Sequence, residues 1–434
     1  MSQAPALALR PQAEINPTTA LRAMLDAESY WPREILDKSH VLLETTTGPL
    51  LFLTGPEQIQ AAVMSDASQL PRSRLQQRFA GNGTGRGNVI TDTGRRSTVH
   101  RRALAPLFRA QKLADYLPAI HATVRQAVDP WFIAADEGSS IDVGRASVHA
   151  TFGVVWQIMF GERGRPLPPP PVFDMAEALY AAGMSGQLRE TSLAIEMATQ
   201  SSLAMRPLHP LAEDTPFGRT PLPGLELTPQ EVEDNVRFLL TAGHESTALT
   251  VTWALLMLAL HPDIQASVSQ EIDAELAQGM PDLAALRRLA KLGRVLDEAM
   301  RLYPSAILVN REAVTDLVLA GVPVRSGTQV ALCFYGLHRH RAWWDRPDSF
   351  DPDRFDPAQQ RVRHRAAFMP FSAGHHSCLG GHLAWLEAMT ILATALRSLS
   401  ISVEGDCEVR PLARYTLRPD RPVILRFSRR AAKA

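Results

Sequence analysis

The chain has 434 residues, of which 45% are hydrophobic and 21% charged, a composition typical of a folded protein with a large core and not of a disordered one. Forty-five basic residues balance 45 acidic ones, so the overall charge gives no general attraction to nucleic acid or to an anionic membrane, and we expect neither as a partner. Three cysteines, Cys333, Cys378 and Cys407, are too scattered for a disulfide framework, which favours a reducing compartment.

The N-terminal segment, residues 1–17, predicts a protein without a leader or membrane anchor. It lacks a long apolar run, and proline and charged residues interrupt it early. No linker, repeat or low-complexity tract divides the chain, so we expect residues 1–434 to form a single large domain in the cytoplasm. Extended strand is predicted around Val41 to Leu53, whereas the proline-rich stretches 165–171 and 206–223 favour loop over helix.

A long central helix is predicted from Pro229 to Leu260. Thr228 is a suitable N-cap, Pro229 suits the first helical position, and Glu231 completes a capping box. At about 1.5 Å per residue such a helix would be about 48 Å long and would cross a whole domain. Its apolar part, 238–260, is close to the length of a membrane span, but His244 and Glu245 in the middle argue against one.

The segment Ala242–Thr247 weakens this helix at its centre. Gly243 costs roughly 1 kcal/mol relative to alanine, and the hydroxyls of Ser246 and Thr247 can bond back to helix carbonyls. We therefore expect a kink or widened turn with a polar groove. Burial is costly for an ionised carboxyl, so Glu245 should have either a shifted pKa or access to water.

A cysteine loop, residues 371–384, lies just before a helix-like run near the C-terminus. Thiolate is the form of cysteine that binds metals, and the start of a helix favours it at Cys378. Gly374 and Gly380 allow the backbone to fold tightly around the sulfur, and Phe371 is placed to shield it. A lone cysteine is more often a small buried hydrophobe. A zinc site with His375, His376 and His382 is disfavoured by the spacing.

The cysteine loop resembles the heme-binding loop of the cytochrome P450 family, F-G-x-G-x-H/R-x-C-x-G-x-x-L-A, with Ser372 where glycine is usual. Ala242–Ser246 resembles the family's oxygen-activation motif A/G-G-x-E/D-T, with Ser246 in place of threonine. Glu298 and Arg301 resemble its E-x-x-R pair, and Arg354 its P-x-R-F arginine. The resemblance covers nearly the whole chain and is most specific over 228–384.

This resemblance implies a mainly α fold with small β-sheets (α+β), in which the long central helix crosses the cofactor. The implied cofactor is heme b (iron protoporphyrin IX), with the Cys378 thiolate as axial metal ligand. Buried propionates need cations, and the candidates are His376, Arg101 and Arg311. The other residues expected around the heme are Phe371, Gly374, Gly380 and Ala242. Ser97 stands at the family's Trp/His position, and we consider His100 as its substitute.

The implied activity is that of a heme-thiolate monooxygenase, in which Glu245 with Ser246 or Thr247 relays protons for reaction with O2. The expected substrate is small and lipophilic or aromatic, since the predicted pocket walls are mostly uncharged. These walls are the segments 79–90, 238–242 and 306–309 with Tyr415 and Thr416. No fused flavin region is evident, so a separate ferredoxin with its reductase should supply electrons.

We expect the ferredoxin to dock on a basic patch whose members are Arg102, Arg109, Arg361, Arg363, His364 and Arg365. Two alternatives stay open. One is a heme-thiolate sensor or carrier without oxygen chemistry, which the serines at 97, 246 and 372 would permit. The other is an oxygenase driven by peroxide, which would need no ferredoxin.

Overall fold

The computed structural model describes residues 3–16, 18–161, 227–276, 280–405, 408–414 and 416–430. The two proline-rich stretches and Tyr415 lie outside these ranges, and with them the substrate lid that the family resemblance implies. That the whole chain forms a single domain stays a prediction.

Helices dominate the described residues. In chain order they are α1 (Ala20–Leu25), α2 (Ala27–Tyr30), α3 (Pro56–Met64), α4 (Arg74–Thr84), α5 (Gly94–Leu104), α6 (Leu113–Glu137), α7 (Val143–Phe160), α8 (Pro229–Leu260), α9 (Pro262–Glu275), α10 (Leu283–Arg288), α11 (Ala290–Leu302), α12 (Phe334–Arg339), α13 (Pro357–Val362) and α14 (Gly381–Ser398). The strands are β1 (His40–Thr45), β2 (Gly48–Leu53), β3 (Ser140–Asp142), β4 (Leu308–Glu312), β5 (Leu317–Leu319), β6 (Val322–Val324), β7 (Gln329–Cys333), β8 (Leu399–Val403), β9 (Pro411–Ala413), β10 (Leu417–Pro419) and β11 (Ile424–Arg429).

The strands form small sheets, as the family resemblance implies. The largest has the order β1-β2-β7-β4, with β2 and β7 parallel and the other pairs antiparallel. A three-stranded antiparallel sheet has the order β3-β11-β8, and β5-β6 and β9-β10 are isolated pairs. The strand predicted around Val41 to Leu53 is confirmed as the β1-β2 hairpin.

Helix α8 confirms the predicted central helix in both its bounds and its start. The Thr228 side chain accepts a hydrogen bond from the Glu231 backbone, and the Glu231 side chain accepts one from the Thr228 backbone. Residues 247–259 of α8 are buried, and the helix packs against α7, α11 and α14. The predicted widened turn is wrong, because helical structure continues through 242–247. The hydroxyls of this segment bond to carbonyls one turn earlier without breaking the ladder.

A buried ion-pair network joins α11 to the segment that precedes the cysteine loop. The side chains of Glu298 and Arg301 are fully buried and form a bidentate pair at 2.6 and 2.8 Å. The Nε of Arg354 lies 3.4 Å from Glu298 Oε1, so the predicted three-residue network is confirmed. Arg301 also donates to the carbonyl oxygens of His338, Pro347 and Ser349. Since the charges and donors are satisfied together, the network holds these segments in one arrangement.

Taken singly, none of the helices in the described ranges combines the length and apolar character needed to cross a bilayer. Helices α8 and α9, which meet at 111°, satisfy that test only as a bent pair.

Candidate active site

A cavity of about 250 Å³ lies between the middle of α8 and the cysteine loop. Its walls are mostly apolar, with Val155 and Met159 of α7 and Phe238 and Leu239 of α8 among them. The cavity brings Cys378 together with the hydroxyl-bearing Ser246 and Thr247, although more than a hundred residues separate them in the chain.

Cys378 faces this cavity from a loop that its own backbone closes. The Cys378 N–H donates to the Phe371 carbonyl at 2.9 Å, and α14 begins three positions later at Gly381. The surrounding protein displaces water and raises the pKa of the thiol, while the N–H groups of Gly380 and Gly381 and the charge of Arg101 oppose that increase. The sulfur is thus accessible to a ligand and has thiolate-stabilising donors around it.

Two glycines of the loop permit contacts that a side chain would prevent. Gly374 has a φ of +67°, and a Cβ there would come within 2.1 Å of the Val63 carbonyl oxygen. A Cβ at Gly381 would lie 3.0 Å from the Phe371 ring. The Phe371 ring therefore packs under the start of α14, while Phe371 and Gly374 shape the loop without lining the cavity themselves.

Ser372 adopts a left-handed backbone conformation, with a φ of +56°. This conformation costs an L-residue with a side chain roughly 1 to 2 kcal/mol, and glycine adopts it freely. We therefore expect Ser372→Gly to raise the free energy of unfolding by about 1 kcal/mol, measured by urea denaturation. Ser377→Gly is the control, because Ser377 has an ordinary φ of −56° and should lose stability. A stability loss at position 372 of the same size as in the control would contradict the strain.

Cationic side chains cluster at one end of the cavity. Arg101 lines the cavity and donates to the backbone and hydroxyl oxygens of Ser377. Arg311, which we also expected there, does not line the cavity but lies close enough to His376 to act on its charge. It is 2% exposed, and burial lowers its pKa to about 10. Within the described ranges, neither Arg101 nor Arg311 forms an ion pair with a carboxylate. Because buried charges need partners, this end of the cavity is suited to an acidic ligand group.

His376 lies beside these arginines and lines the cavity. Both of its imidazole nitrogens are buried and lack a hydrogen-bond partner among the described residues. Burial, followed by the charges of Arg72, Arg311 and Arg101, lowers its pKa to about 2. In the protein without a ligand His376 is therefore neutral, and its imidazole offers an N–H donor to an acidic ligand group.

Arg72 is a member of this cluster that the sequence did not reveal. It is buried, lines the cavity, and donates to the Ser97 hydroxyl at 3.3 Å. Ser97 stands at the position where the family has Trp or His, and its hydroxyl accepts a hydrogen bond from Arg72. His100 is not the substitute that we considered, because its imidazole is hydrogen-bonded to Asp92 at 2.7 Å and to Asn235 at 3.0 Å.

The cavity wall that α8 provides lacks one residue of the predicted proton relay. Ala242, Ser246 and Thr247 line the cavity, but Glu245 does not. The Glu245 carboxylate accepts hydrogen bonds from Thr416 at 2.9 Å and Arg418 at 2.8 Å. The ion pair with Arg418 therefore stabilises its charge, and the Glu245 side chain keeps partial access to water, with 20% exposed.

Glu387 of α14 is a second residue that sequence reasoning missed. It lines the cavity, is 1% exposed, and has one oxygen without a partner among the described residues. Burial raises its pKa well above the ordinary value, which favours the protonated carboxyl group. The sequence places Glu387 on the helix that follows the cysteine loop, but this position does not reveal whether its side chain is buried.

The predicted pocket walls are found in part. The residues of these walls that contribute to the cavity are Val89, Ile90, Phe238, Leu239 and Ala242, whereas the segment 306–309 and Thr416 do not. Among the residues that the structure describes, the one His/Cys/Asp/Glu group close enough to share a metal ion is Asp92, His100 and Glu231, which excludes Cys378.

Similarity to known proteins agrees with this fold and site. The sequence profile described as "Cytochrome P450" matches residues 217–427. Pentalenene oxygenase of Streptomyces avermitilis is 36% identical over 48% of this chain and 46% of its own length. Cyclooctatin synthase of Streptomyces melanosporofaciens is 35% identical over 45% of this chain and 41% of its own length. In each case the match spans less than half of the relative.

The solved heme domain of cytochrome P450DA has the same fold, with a TM-score of 0.77 over 91% of this chain and 89% of that chain at 24% identity. Together with the matched profile and relatives, this fold shows that the chain belongs to the cytochrome P450 family. The family uses heme b held by an axial cysteine thiolate.

The residues present fit this cofactor. Cys378 offers a sulfur at the cavity surface. Arg72, Arg101 and His376, whose imidazole has no partner among the residues that the structure describes, offer donors suited to two propionates. The remaining walls are apolar, as the porphyrin faces require. The backbone N–H groups of Gly380 and Gly381 are directed at the sulfur.

Proposed function

We propose that this protein is a heme-thiolate monooxygenase that inserts one oxygen atom of O2 into a C–H bond of a small lipophilic substrate, by hydroxylation or oxidative dealkylation. The observation that carries the proposal is the single cavity shared by Cys378, the hydroxyls of Ser246 and Thr247, and the cationic cluster. The other oxygen atom leaves as water, so the reaction needs electrons and protons as well as substrate. We further propose that the protein acts in the cytoplasm.

The bound heme supplies oxygen activation, with electron density donated by its thiolate ligand. The residues of the chain bind and orient the cofactor and control protons. Arg101 and His376 line the cavity and can hold its acidic groups, Arg311 adds its charge near His376 from outside the cavity wall, and apolar walls exclude bulk water. The hydroxyls of Ser246 and Thr247 donate to the carbonyls of Ala242 and Gly243 at 3.1 and 3.3 Å, which leaves their oxygen lone pairs available to accept.

The apolar walls, together with a relative that is named as an oxygenase of pentalenene, support a hydrocarbon-like substrate. Phe238, Leu239, Val89 and Ile90 offer surface without charge to bind such a molecule. The relatives are named for pentalenene and cyclooctatin. Cyclic hydrocarbons and simple aromatic compounds are therefore the first probes, and a substrate-induced change in the heme absorption spectrum is the first screen.

The proposed function is tested with a variant that lacks both relay hydroxyls, Ser246→Ala with Thr247→Val. With a ferredoxin system and a substrate from the screen, we expect product formation to fall by about 10²-fold while heme content is unchanged, because proton delivery contributes that much in enzymes. Thr241→Ala is the control, since this hydroxyl also donates to a carbonyl of α8 but does not line the cavity.

The same assay separates the alternatives. If hydrogen peroxide alone sustains turnover in wild type at the rate of the ferredoxin system, the protein is a peroxide-driven oxygenase. If substrates bind but neither system gives product, the monooxygenase proposal fails and a sensor or carrier is left. Full activity of the double variant would show that neither hydroxyl is needed to relay protons.

We also propose a separate ferredoxin with its reductase as electron donor, docked beside the cysteine loop. Arg102, Arg109, Arg361 and Arg365 are exposed, and Arg109 follows Phe108, whose ring is 3.8 Å from a Cβ at Gly380. Arg363 does not belong to this patch. Its guanidinium lies over the Trp344 ring at 3.9 Å, so it is part of the aromatic packing.

Docking predicts a salt-dependent effect of charge removal. With a ferredoxin that reduces the wild type, we expect Arg109→Gln with Arg365→Gln to slow reduction about tenfold at low ionic strength and little at high salt, since long-range steering is screened. Stopped-flow heme reduction measures this rate. Arg426→Gln is the control, because Arg426 is exposed on β11 of the three-stranded sheet. Equal rates in all variants at low salt would contradict this docking surface.

A further inference from the structure

The segment between α4 and α5, residues 85–92, is named here the clasp loop. It contributes Val89 and Ile90 to the cavity wall. Its turn is closed locally, because the Asn88 side chain accepts from the N–H groups of Ile90 and Thr91 and donates to the carbonyls of Thr84 and Gly85. Such internal bonding makes the clasp loop a compact unit whose position depends on what holds it from outside.

Asn235 of α8 holds the clasp loop at the cavity wall. The Asn235 side chain is buried, with 2% of the residue exposed, and its Oδ1 accepts the Val89 N–H at 3.1 Å. Its Nδ2 donates to Nδ1 of His100 at 3.0 Å. The Val89 carbonyl accepts from Arg72 at 2.9 Å, so both peptide groups of this wall residue are bonded to side chains from other segments.

Asp234, the preceding residue of α8, holds the beginning of the clasp loop. Its carboxylate accepts the Gly87 N–H at 2.9 Å. Gly85 has a φ of +84°, and a Cβ there would come within 2.3 Å of the Asp234 carboxylate. A Cβ at Gly87 would lie 2.9 Å from Cγ of Glu231. The clasp loop therefore approaches α8 more closely than side chains at these positions would allow.

The end of the clasp loop is tied to the same cluster through His100. Because Asn235 Nδ2 donates, the Nδ1 atom of His100 accepts, which leaves Nε2–H to donate to Asp92 at 2.7 Å. Asp92 is the last residue of the clasp loop. The Asn235 side chain is therefore connected to the loop directly at Val89 and, through His100, at Asp92. Such buried polar groups favour one arrangement because any other leaves donors and acceptors unpaired.

We propose that Asn235, supported by Asp234, is a specificity-determining positioning residue that fixes the clasp loop over the cavity and thereby sets which substrates fit. This inference rests on the proposed function. The helix that carries the relay hydroxyls at 246 and 247 thus also sets the wall formed by Val89 and Ile90. Arg72 links that wall to the cationic cluster, so movement of the loop disturbs the cofactor end of the site.

The experiment compares Asn235→Ala with wild-type holoprotein by hydrogen exchange and ligand binding. The alanine leaves the Val89 N–H without its acceptor, so we expect faster exchange in peptides that cover 85–92. Imidazole and 4-phenylimidazole serve as a small and a bulky probe, and their dissociation constants are measured from shifts of the heme band. We expect the ratio of the two constants to change about three- to tenfold, the equivalent of one hydrogen bond.

Two further variants make the result decisive. Glu233→Gln is the control, because Glu233 lies beside Asp234 on α8 but pairs with Arg237 of the same helix. Asp234→Ala removes a different bond to the same loop and should also accelerate exchange in 85–92, which covers the case that Asn235→Ala does not fold. Unchanged exchange and an unchanged ratio in the folded variants would overturn the proposal.

Failure of the proposed function is distinguishable. A wild-type protein without the carbon monoxide spectrum of a thiolate-bound heme would defeat the monooxygenase proposal. Exchange in the clasp loop would still decide whether Asn235 and Asp234 hold it.

Discussion

Replacement of Cys378 by serine is expected to abolish monooxygenation, with a loss of at least about a thousand-fold. A serine hydroxyl remains protonated at neutral pH and is a poor ligand, so the electron density that thiolate donates to the cofactor is lost. The carbon monoxide difference spectrum of the reduced protein measures the ligand directly. In the variant, the long-wavelength band that marks a thiolate ligand should disappear even where heme is still bound.

Cys333→Ser is the matched control for this substitution. Cys333 is fully buried, accepts a hydrogen bond from the Gly336 N–H at 3.4 Å, and lies outside the cavity wall. Burial raises the pKa of its thiol to about 12, so it is an unreactive packing residue. We expect Cys333→Ser to reduce stability but to keep the spectrum. A thiolate spectrum that survives in Cys378→Ser would refute both the ligand assignment and the function proposed from it.

Replacement of Arg301 by alanine is expected to cost about 3 to 5 kcal/mol of folding free energy, because it leaves the buried Glu298 carboxylate without its bidentate partner. It also leaves three backbone carbonyls without a donor. We expect little soluble holoprotein, and a much lower urea midpoint for whatever folds. Arg301→Lys keeps the charge but loses the planar fork, so its cost should be intermediate.

Arg294→Ala on the same helix is the control for this second substitution. Arg294 pairs with Asp353 and Asp356, which are 84% and 45% exposed, and such surface pairs contribute about 1 kcal/mol or less. Holoprotein yield and urea midpoint should therefore stay near wild type. Similar losses in Arg294→Ala and Arg301→Ala would show that the network around Glu298 has no special role in stability.

Several features of the site were predictable because they depend on neighbours in the sequence. The capping residues of α8 lie within one turn, so Thr228 and Glu231 were sufficient to predict where the helix begins. The pattern around Cys378 likewise places glycines and a helix start at fixed distances from the sulfur. The sequence also pointed to the strained conformation of Ser372, because this serine stands where the cytochrome P450 heme-binding loop usually has glycine.

The errors concern side chains whose partners are distant in the sequence. Glu245 was expected in the proton relay because its segment resembles the family's oxygen-activation motif, but it bonds to residues 171 and 173 positions away. Arg363 was assigned to a surface patch because its neighbours in the sequence are charged. Its guanidinium instead lies over the rings of Trp344 and Phe355. Neither outcome follows from a local pattern, because a charged residue beside polar neighbours is compatible with either a partner or solvent.

The sequence by itself determined the central helix, the cysteine loop and the family, because helix caps, glycine positions and residue spacing act through hydrogen bonds and sterics within a few residues. Only the tertiary structure decided that Arg72 joins the cationic cluster, that Glu387 is buried at the cavity, and that Asn235 holds the clasp loop. These assignments depend on which segments approach each other. The physical reason is desolvation: a polar side chain enclosed by packing must find its partner among whatever groups the fold brings near it.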